Sequence, residues 1–269
     1  MKNIKSKLCL ISLTGMLAAG LVACDSAESG ADVGASKKVG SQNISEVYVK
    51  TDGQNIEFHS TNESEIKVDS GKIKNPKIKE EGNKLEIDAG ESSAGINFKT
   101  ATMHIYVPKK TYDKIEATTV SGKVTAEDIS AKQLKLSNDS GDTTLENYKG
   151  ENITSTSKSG VITFKGIESD FDIQNNTGDV NVSMVKDLKN EGKIKTESGS
   201  VDISFTKEPK GLAVDFSTRA GKIKNEYPLS SGEKGNDNKV KGNIGSEKSD
   251  GAKLIVESST GTINLKSGE

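Results

Sequence analysis

Ser121-Gly122-Lys123-Val124, Ser140-Gly141-Asp142-Thr143, Ser159-Gly160-Val161-Ile162 and Thr177-Gly178-Asp179-Val180 are four versions of one phrase. It returns as Ser198-Gly199-Ser200-Val201, Ala220-Gly221-Lys222-Ile223 and Thr260-Gly261-Thr262-Ile263. The glycines stand 19, 19, 18, 21, 22 and 40 residues apart, the last interval being about two ordinary steps. Self-similarity at such a period marks a stacked array of short units.

The residues around each glycine fall into columns. Seven before it stand Ile115, Leu134, Ile153, Phe171, Gly192, Val214 and Leu254; five before it stand Ala117, Leu136, Ser155, Ile173, Ile194, Phe216 and Val256. Two after it come Val124, Thr143, Ile162, Val180, Val201, Ile223 and Ile263. Four after it come Ala126, Leu145, Phe164, Val182, Ile203, Asn225 and Leu265. Six of seven members are apolar in each column, and the positions between are mostly Lys, Thr, Asp, Glu, Asn or Ser. Period-two burial on both sides of a corner predicts two strands per repeat, joined at Ser/Thr-Gly. Gly122, Gly141, Gly160, Gly178, Gly199, Gly221 and Gly261 are therefore read as structural corners. Ile129, Tyr148, Ile167 and Val185, seven after the glycine, predict a short third inward side in several repeats. One repeat cannot bury its apolar face alone, so stacking must do it. Rungs spaced ~4.8 Å apart give a rod of roughly 35 Å for seven or eight of them. The fold class is all-β, a β-solenoid or β-helix-like stack.

Before the array the period is also two. Val47 and Val49, Ile56 and Phe58, Ile66 and Val68, Leu85 and Ile87, Ile96 and Phe98, then Met103, Ile105 and Val107 read as half-buried strands between turns. An array needs its first rung covered, because an open β-edge invites pairing with other chains. Residues 42–112 are accordingly expected to form either an irregular set of first rungs or, the reading preferred, a β cap continuous with the array at 113–269. The interval 225–252 is very polar and reads as an insertion on a rung, a protruding loop or hairpin.

The N-terminus has a different logic. Lys2, Lys5 and Lys7 precede an apolar run from Leu8 to Gly20, too short for a comfortable membrane span and shaped like a secretory signal. Leu21-Val22-Ala23-Cys24 resembles the bacterial lipobox, which implies cleavage between Ala23 and Cys24 and lipidation, palmitate included, of Cys24. Residues 1–23 are then a signal peptide and 24–41 a lipidated cysteine with a flexible tether. The implied address is extracytoplasmic, on the bacterial cell membrane. Cys9 lies in the removed segment, so the mature chain has no thiol pair for a disulfide.

Composition excludes several functions. Only 32% of the 269 residues are hydrophobic and 4% aromatic, with no Trp. Without the three leader lysines the net charge is −5, and Arg219 is the only arginine. A nucleic-acid binder would show a basic patch with arginines for bidentate contacts. His59 and His104 are far apart in sequence, no paired His/Cys ligand spacing occurs, and no metal or cofactor is expected. Asp142, Asp179, Asp139 and Asn176 suggest a calcium ladder, but Lys123, Val161, Ser200, Lys222 and Thr262 occupy the same column as the two corner acids, so a solvated corner is expected. No Gly-x-Ser-x-Gly elbow appears, and each Gly-Lys pair is followed by Ile or Val, unlike a phosphate loop.

The alternating head ending in Ile105-Tyr106-Val107-Pro108, followed by the Ser-Gly-x-Val/Ile repeats, resembles bacterial putative-adhesin proteins with β-strand repeats, a family of unknown function. The resemblance covers about residues 44–265 and implies an envelope-associated, β-helix-like protein with no catalytic residues to carry over. The expected function is a non-catalytic binding or scaffold surface, adhesin-like or linked to envelope stress, with an envelope protein or glycan as partner and no nucleic acid. A polysaccharide-active β-helix enzyme and a structural spacer are the alternatives.

Overall fold

A computed structural model describes residues 36–90, 101–234, 237–246 and 251–267, and within them every regular element is a strand. Two parallel walls face each other. One wall carries β2 (Glu46–Thr51), β8 (Thr111–Thr119), β10 (Ser130–Ser140), β12 (Lys149–Ser159), the second half of β13 (Ile162–Thr177), β15 (Glu191–Ser198) and β17 (Leu212–Ala220). The other carries β3 (Asn55–Thr61), β9 (Val124–Glu127), β11 (Thr143–Glu146), the first half of β13, β14 (Val180–Met184), β16 (Val201–Phe205) and β18 (Ile223–Asn225). From β8 to β16 the chain crosses from one wall to the other at every corner and returns one rung further on. Successive strands within a wall are therefore parallel, with Leu134 beside Ile153 and Val124 beside Thr143.

The four columns all point into the space between the walls. Every member is buried except Asn225, where the chain leaves the rung and the side-chain amide bonds the carbonyl of Tyr227. Gly192 breaks the apolar rule for a steric reason: a Cβ there would lie 2.7 Å from the Phe171 ring and 2.9 Å from Leu188. Leu188 also replaces Val185, which was expected to point inward and is 40% exposed. Ile129, Tyr148 and Ile167 are buried as expected of a third side. The turn before them is left-handed at Asp128, Asn147 and Gly166, residue types that tolerate positive φ.

A fifth column escaped the sequence reading. Three before each corner glycine stand Thr119, Asn138, Ser157, Asn175, Thr196, Thr218 and Ser258, all polar and all buried. Several serve the corner backbone. The Asn138 amide donates to the Gly122 carbonyl at 2.9 Å, and the Asn175 amide to the Gly160 and Gly178 carbonyls at 3.1 and 3.0 Å. A buried carbonyl without a partner costs about 1–3 kcal/mol, so this column preserves the corner.

The glycines themselves form a staircase. A Cβ on Gly160 would lie 2.1 Å from the Gly141 carbonyl oxygen, and one on Gly141 would lie 2.5 Å from that of Gly122. Successive rungs approach too closely here for any side chain.

Spatial order departs from sequence order at both ends. β21 (Lys253–Thr260) lies between β15 and β17, and β22 (Ile263–Ser267) between β16 and β18. The last rung in sequence is thus the penultimate one in space. At the other end β6 (Lys84–Asp88) and β7 (Thr102–Pro108) form a rung outside β2 and β3, so the first complete rung is also internal. Nine two-strand rungs result among the described residues.

Antiparallel strands close both ends. β4 (Glu65–Asp69) pairs with β7, β1 (Ser36–Gly40) with β4, and β5 (Lys77–Glu81) with β6. At the far end β20 (Lys239–Ile244) pairs with β17, and β19 (Leu229–Lys234) with β20. Within the described part of the 225–252 interval, β19 and β20 form a hairpin laid against the terminal rung, with Val240 and Ile244 buried. β1 falls inside the stretch read as tether. Val39 is 2% exposed and gives those residues something to bury. Exposed lysines on β1 and β5 discourage a further strand from pairing there. Among the described residues no helix is long and apolar enough to cross a membrane. The leader, Ala23, Cys24 and the Ile96/Phe98 strand lie outside the described residues.

Candidate functional site

Along the array, several outward charges are matched between rungs. A spacing of 19 residues sets one rung's lysine beside the previous rung's acid. Lys132 meets Asp113 at 2.7 Å, Lys135 meets Glu116 at 2.9 Å, Lys158 meets Asp139 at 2.6 Å and Lys165 meets Glu146 at 3.3 Å. The exposed pairs contribute little to stability, about 0–1 kcal/mol each. Glu116 is the most enclosed of these acids. Burial acts to raise its pKa, but hydrogen bonds from Lys114 and Lys135 outweigh that and hold the carboxyl below its usual range.

The corner acids are engaged as well. Asp142 accepts the Val161 amide at 2.9 Å and Asp179 accepts the Ser200 amide at 2.8 Å, each tying its rung to the next. Against the end hairpin lies a groove of about 640 Å³ whose acid, Asp215, pairs with Lys241 at 3.2 Å and Lys253 at 3.9 Å.

The head is different. Parallel pairing of β3 with β7 sets Glu57 beside His104 and His59 beside Tyr106, all pointing outward. Antiparallel β4 adds Asp69 beside His104 and Lys67 beside Tyr106, while β9 places Thr125 and Glu127 on the other flank. Sequence spacing offered no reason to associate His59 with His104, yet His59 Nε2 lies 3.3 Å from His104 Nδ1. Glu57 Oε2 is 3.1 Å from His104 Nδ1 and 3.5 Å from His59 Nε2. The Tyr106 ring stacks on His59 at 5.1 Å, and Lys67 Nζ sits 5.0 Å from its centroid. Among the described residues, Glu57, His59 and His104 are the group whose donor atoms converge closely enough to hold a metal ion.

On the opposite wall of the head Tyr48 is flanked by Lys84 and Lys114, 4.2 and 5.0 Å from its ring centroid. Its hydroxyl donates to Glu46 at 2.7 Å, and this bond, reinforced by partial burial, pushes its pKa up to about 12. The half-buried tyrosines Tyr48 and Tyr106 thus present polar-edged aromatic rings on the two walls of one end. Their outward positions follow from strand alternation, as do those of Glu57 and both histidines. The strand order that assembles them does not.

Comparison with known proteins gives a family. The family described as Toastrack DUF4097 matches twice, over residues 44–171 and 167–266. No curated protein matches the chain. Matching solved structures include a "putative cell adhesion protein" from Clostridium sporogenes, at 14% identity and TM-score 0.41, covering 87% of this chain and 98% of that one. A "putative adhesin" from Bacteroides fragilis is 13% identical with TM-score 0.41, covering 86% and 96%. One from Parabacteroides distasonis is 12% identical with TM-score 0.43, again covering 86% and 96%.

Proposed function

The chain belongs to the Toastrack DUF4097 family, and from that premise we propose that it is a lipid-anchored envelope protein whose stacked walls form a non-catalytic binding platform. The anchor reading rests on the leader and on Leu21-Val22-Ala23-Cys24. Twelve residue steps separate Cys24 from Ser36, where β1 begins. Full extension of that connection spans at most about 40–43 Å, at ~3.3–3.6 Å per residue. A platform held so close serves a partner within the envelope, a protein or a glycan.

One observation carries the binding reading. Several charges on the array walls are paired rung to rung, whereas aromatic and imidazole groups surface together on the head. Rings with polar edges provide large contact area at low conformational cost, which is why interfaces favour them. Two measurements test the proposal. Labelled palmitate should enter the wild-type protein and not Cys24→Ser; equal labelling of both refutes the anchor. A photo-crosslinking residue in place of Tyr106 should capture a discrete partner in living cells, while the same residue at Thr163 on the array should not. Equal capture from both positions refutes the head as the contact.

A further inference from the structure

We propose that Glu57, His59 and His104 form a binding site for a divalent transition-metal ion of the zinc class. The inference stands independently of the anchor and of any partner.

The distances fit one common metal centre. A tetrahedral ion with bonds of about 2.0–2.1 Å holds its ligand atoms about 3.3–3.4 Å apart. The three donor atoms here are separated by 3.1, 3.3 and 3.5 Å, the three edges of a nearly regular triangle. The circumradius of that triangle is roughly 1.9 Å, so an ion about 0.7 Å above its plane reaches all three atoms at zinc distances. A hydrogen-bonded chain needs only two short contacts and no common centre.

Ligand chemistry narrows the ion. Two imidazoles with one carboxylate suit Zn²⁺, Cu²⁺, Ni²⁺ or Co²⁺, whereas Mg²⁺ and Ca²⁺ require oxygen-rich sites. Protein supplies three donors, and water fills the fourth position on the solvent side. The side chains are about one-third exposed, 31% for Glu57 and 34% for each histidine, so the ion exchanges with solvent. Tyr106 stacks against His59 and restricts its ring. Asp69 and Glu127, from the flanking strands, add negative charge around the site, opposed by Lys67.

The ion would staple β3 to β7, the two strands whose rungs are transposed relative to sequence. Binding to the folded state alone raises stability in proportion to the logarithm of free metal over Kd.

The test uses the full chain purified without a histidine tag, stripped by chelator and titrated with Zn²⁺. One ion per chain and a rise in Tm are expected, together with the intense visible bands of tetrahedral coordination when Co²⁺ replaces zinc. Mg²⁺ at the same concentration should produce neither effect. His59→Ala and His104→Ala should each weaken Zn²⁺ binding about 100-fold and abolish the zinc-dependent shift. Glu57→Gln preserves shape and should weaken binding about tenfold or more, so the proposal remains testable should an alanine variant misfold. Undiminished one-to-one binding in the folded His59→Ala/His104→Ala variant, or no binding by the wild type, overturns it.

Discussion

The middle of this stack and its two ends use the same strands to different effect. From β8 to β16 sequence order equals spatial order, each corner repeats the last, and the wall charges pair across rungs. At the ends strands are transposed, antiparallel partners cover the edges, and the outward residues cease to be periodic. Regularity supplies a rigid span. Irregularity supplies closure and, at the head, a cluster of outward imidazole and aromatic groups. In this chain the outward imidazole and aromatic groups gather where the repeat is broken.

Removing the last rung should have the largest effect. Ending the chain at residue 250 deletes β21 and β22, which are wedged between earlier rungs. The expected outcome is loss of the cooperatively folded state, read by circular dichroism and gel filtration. A soluble, cooperatively melting product would mean that β15 can pair directly with β17.

Glycine substitutions distinguish the regions next. Gly160→Ala places a Cβ against the Gly141 carbonyl at positive φ and should cost about 3–5 kcal/mol. Gly82→Ala, in the head turn between β5 and β6, also has positive φ but meets nothing within 4 Å. It should cost about 1–2 kcal/mol. Urea denaturation of both checks the difference.

A smaller effect of opposite sign is expected at Ser155. It occupies an apolar column, is fully buried, and its hydroxyl has no hydrogen-bond partner. Ser155→Ala should stabilise the middle by about 1 kcal/mol, because an unsatisfied buried hydroxyl is removed. A loss of stability in the same urea assay would reveal a hydrogen bond formed by that hydroxyl.

The weakest prediction concerns the paired charges. Glu116 has a depressed folded pKa, so its contribution is present above the ordinary glutamate value and lost as pH falls through the lower folded one. Glu116→Gln should cost less than about 1 kcal/mol at pH 7, and its difference from wild type should shrink below about pH 4. Stability curves at both pH values test the sign.

Much of the interior is legible in the sequence, because burial in a strand follows a period of two and the corners recur. Gly192 and Asn225 look like defects there; one accommodates Phe171 and Leu188, the other marks where the chain leaves the rung. The column of Thr119, Asn138 and Asn175 is visible in the sequence too, but a search for apolar positions passes over it. Val185 was misread because Leu188, three residues later, fills the interior instead. The head cluster was hidden for another reason. His59 and His104 meet only because β7 lies directly beside β3, and that adjacency depends on long-range pairing that no local pattern records. The transposed final rung escaped for the same reason: its residues obey every column rule, and the columns do not specify which neighbours a rung takes.

The transposed ends also govern how such a gene can change length. A unit appended after β22 would have to begin from a strand already enclosed on both sides, and one placed before β2 would meet the same obstruction. A whole unit duplicated between β8 and β16 needs only to copy its neighbour's corner. The two ends are fixed bookends, and lengthening is accommodated from the inside.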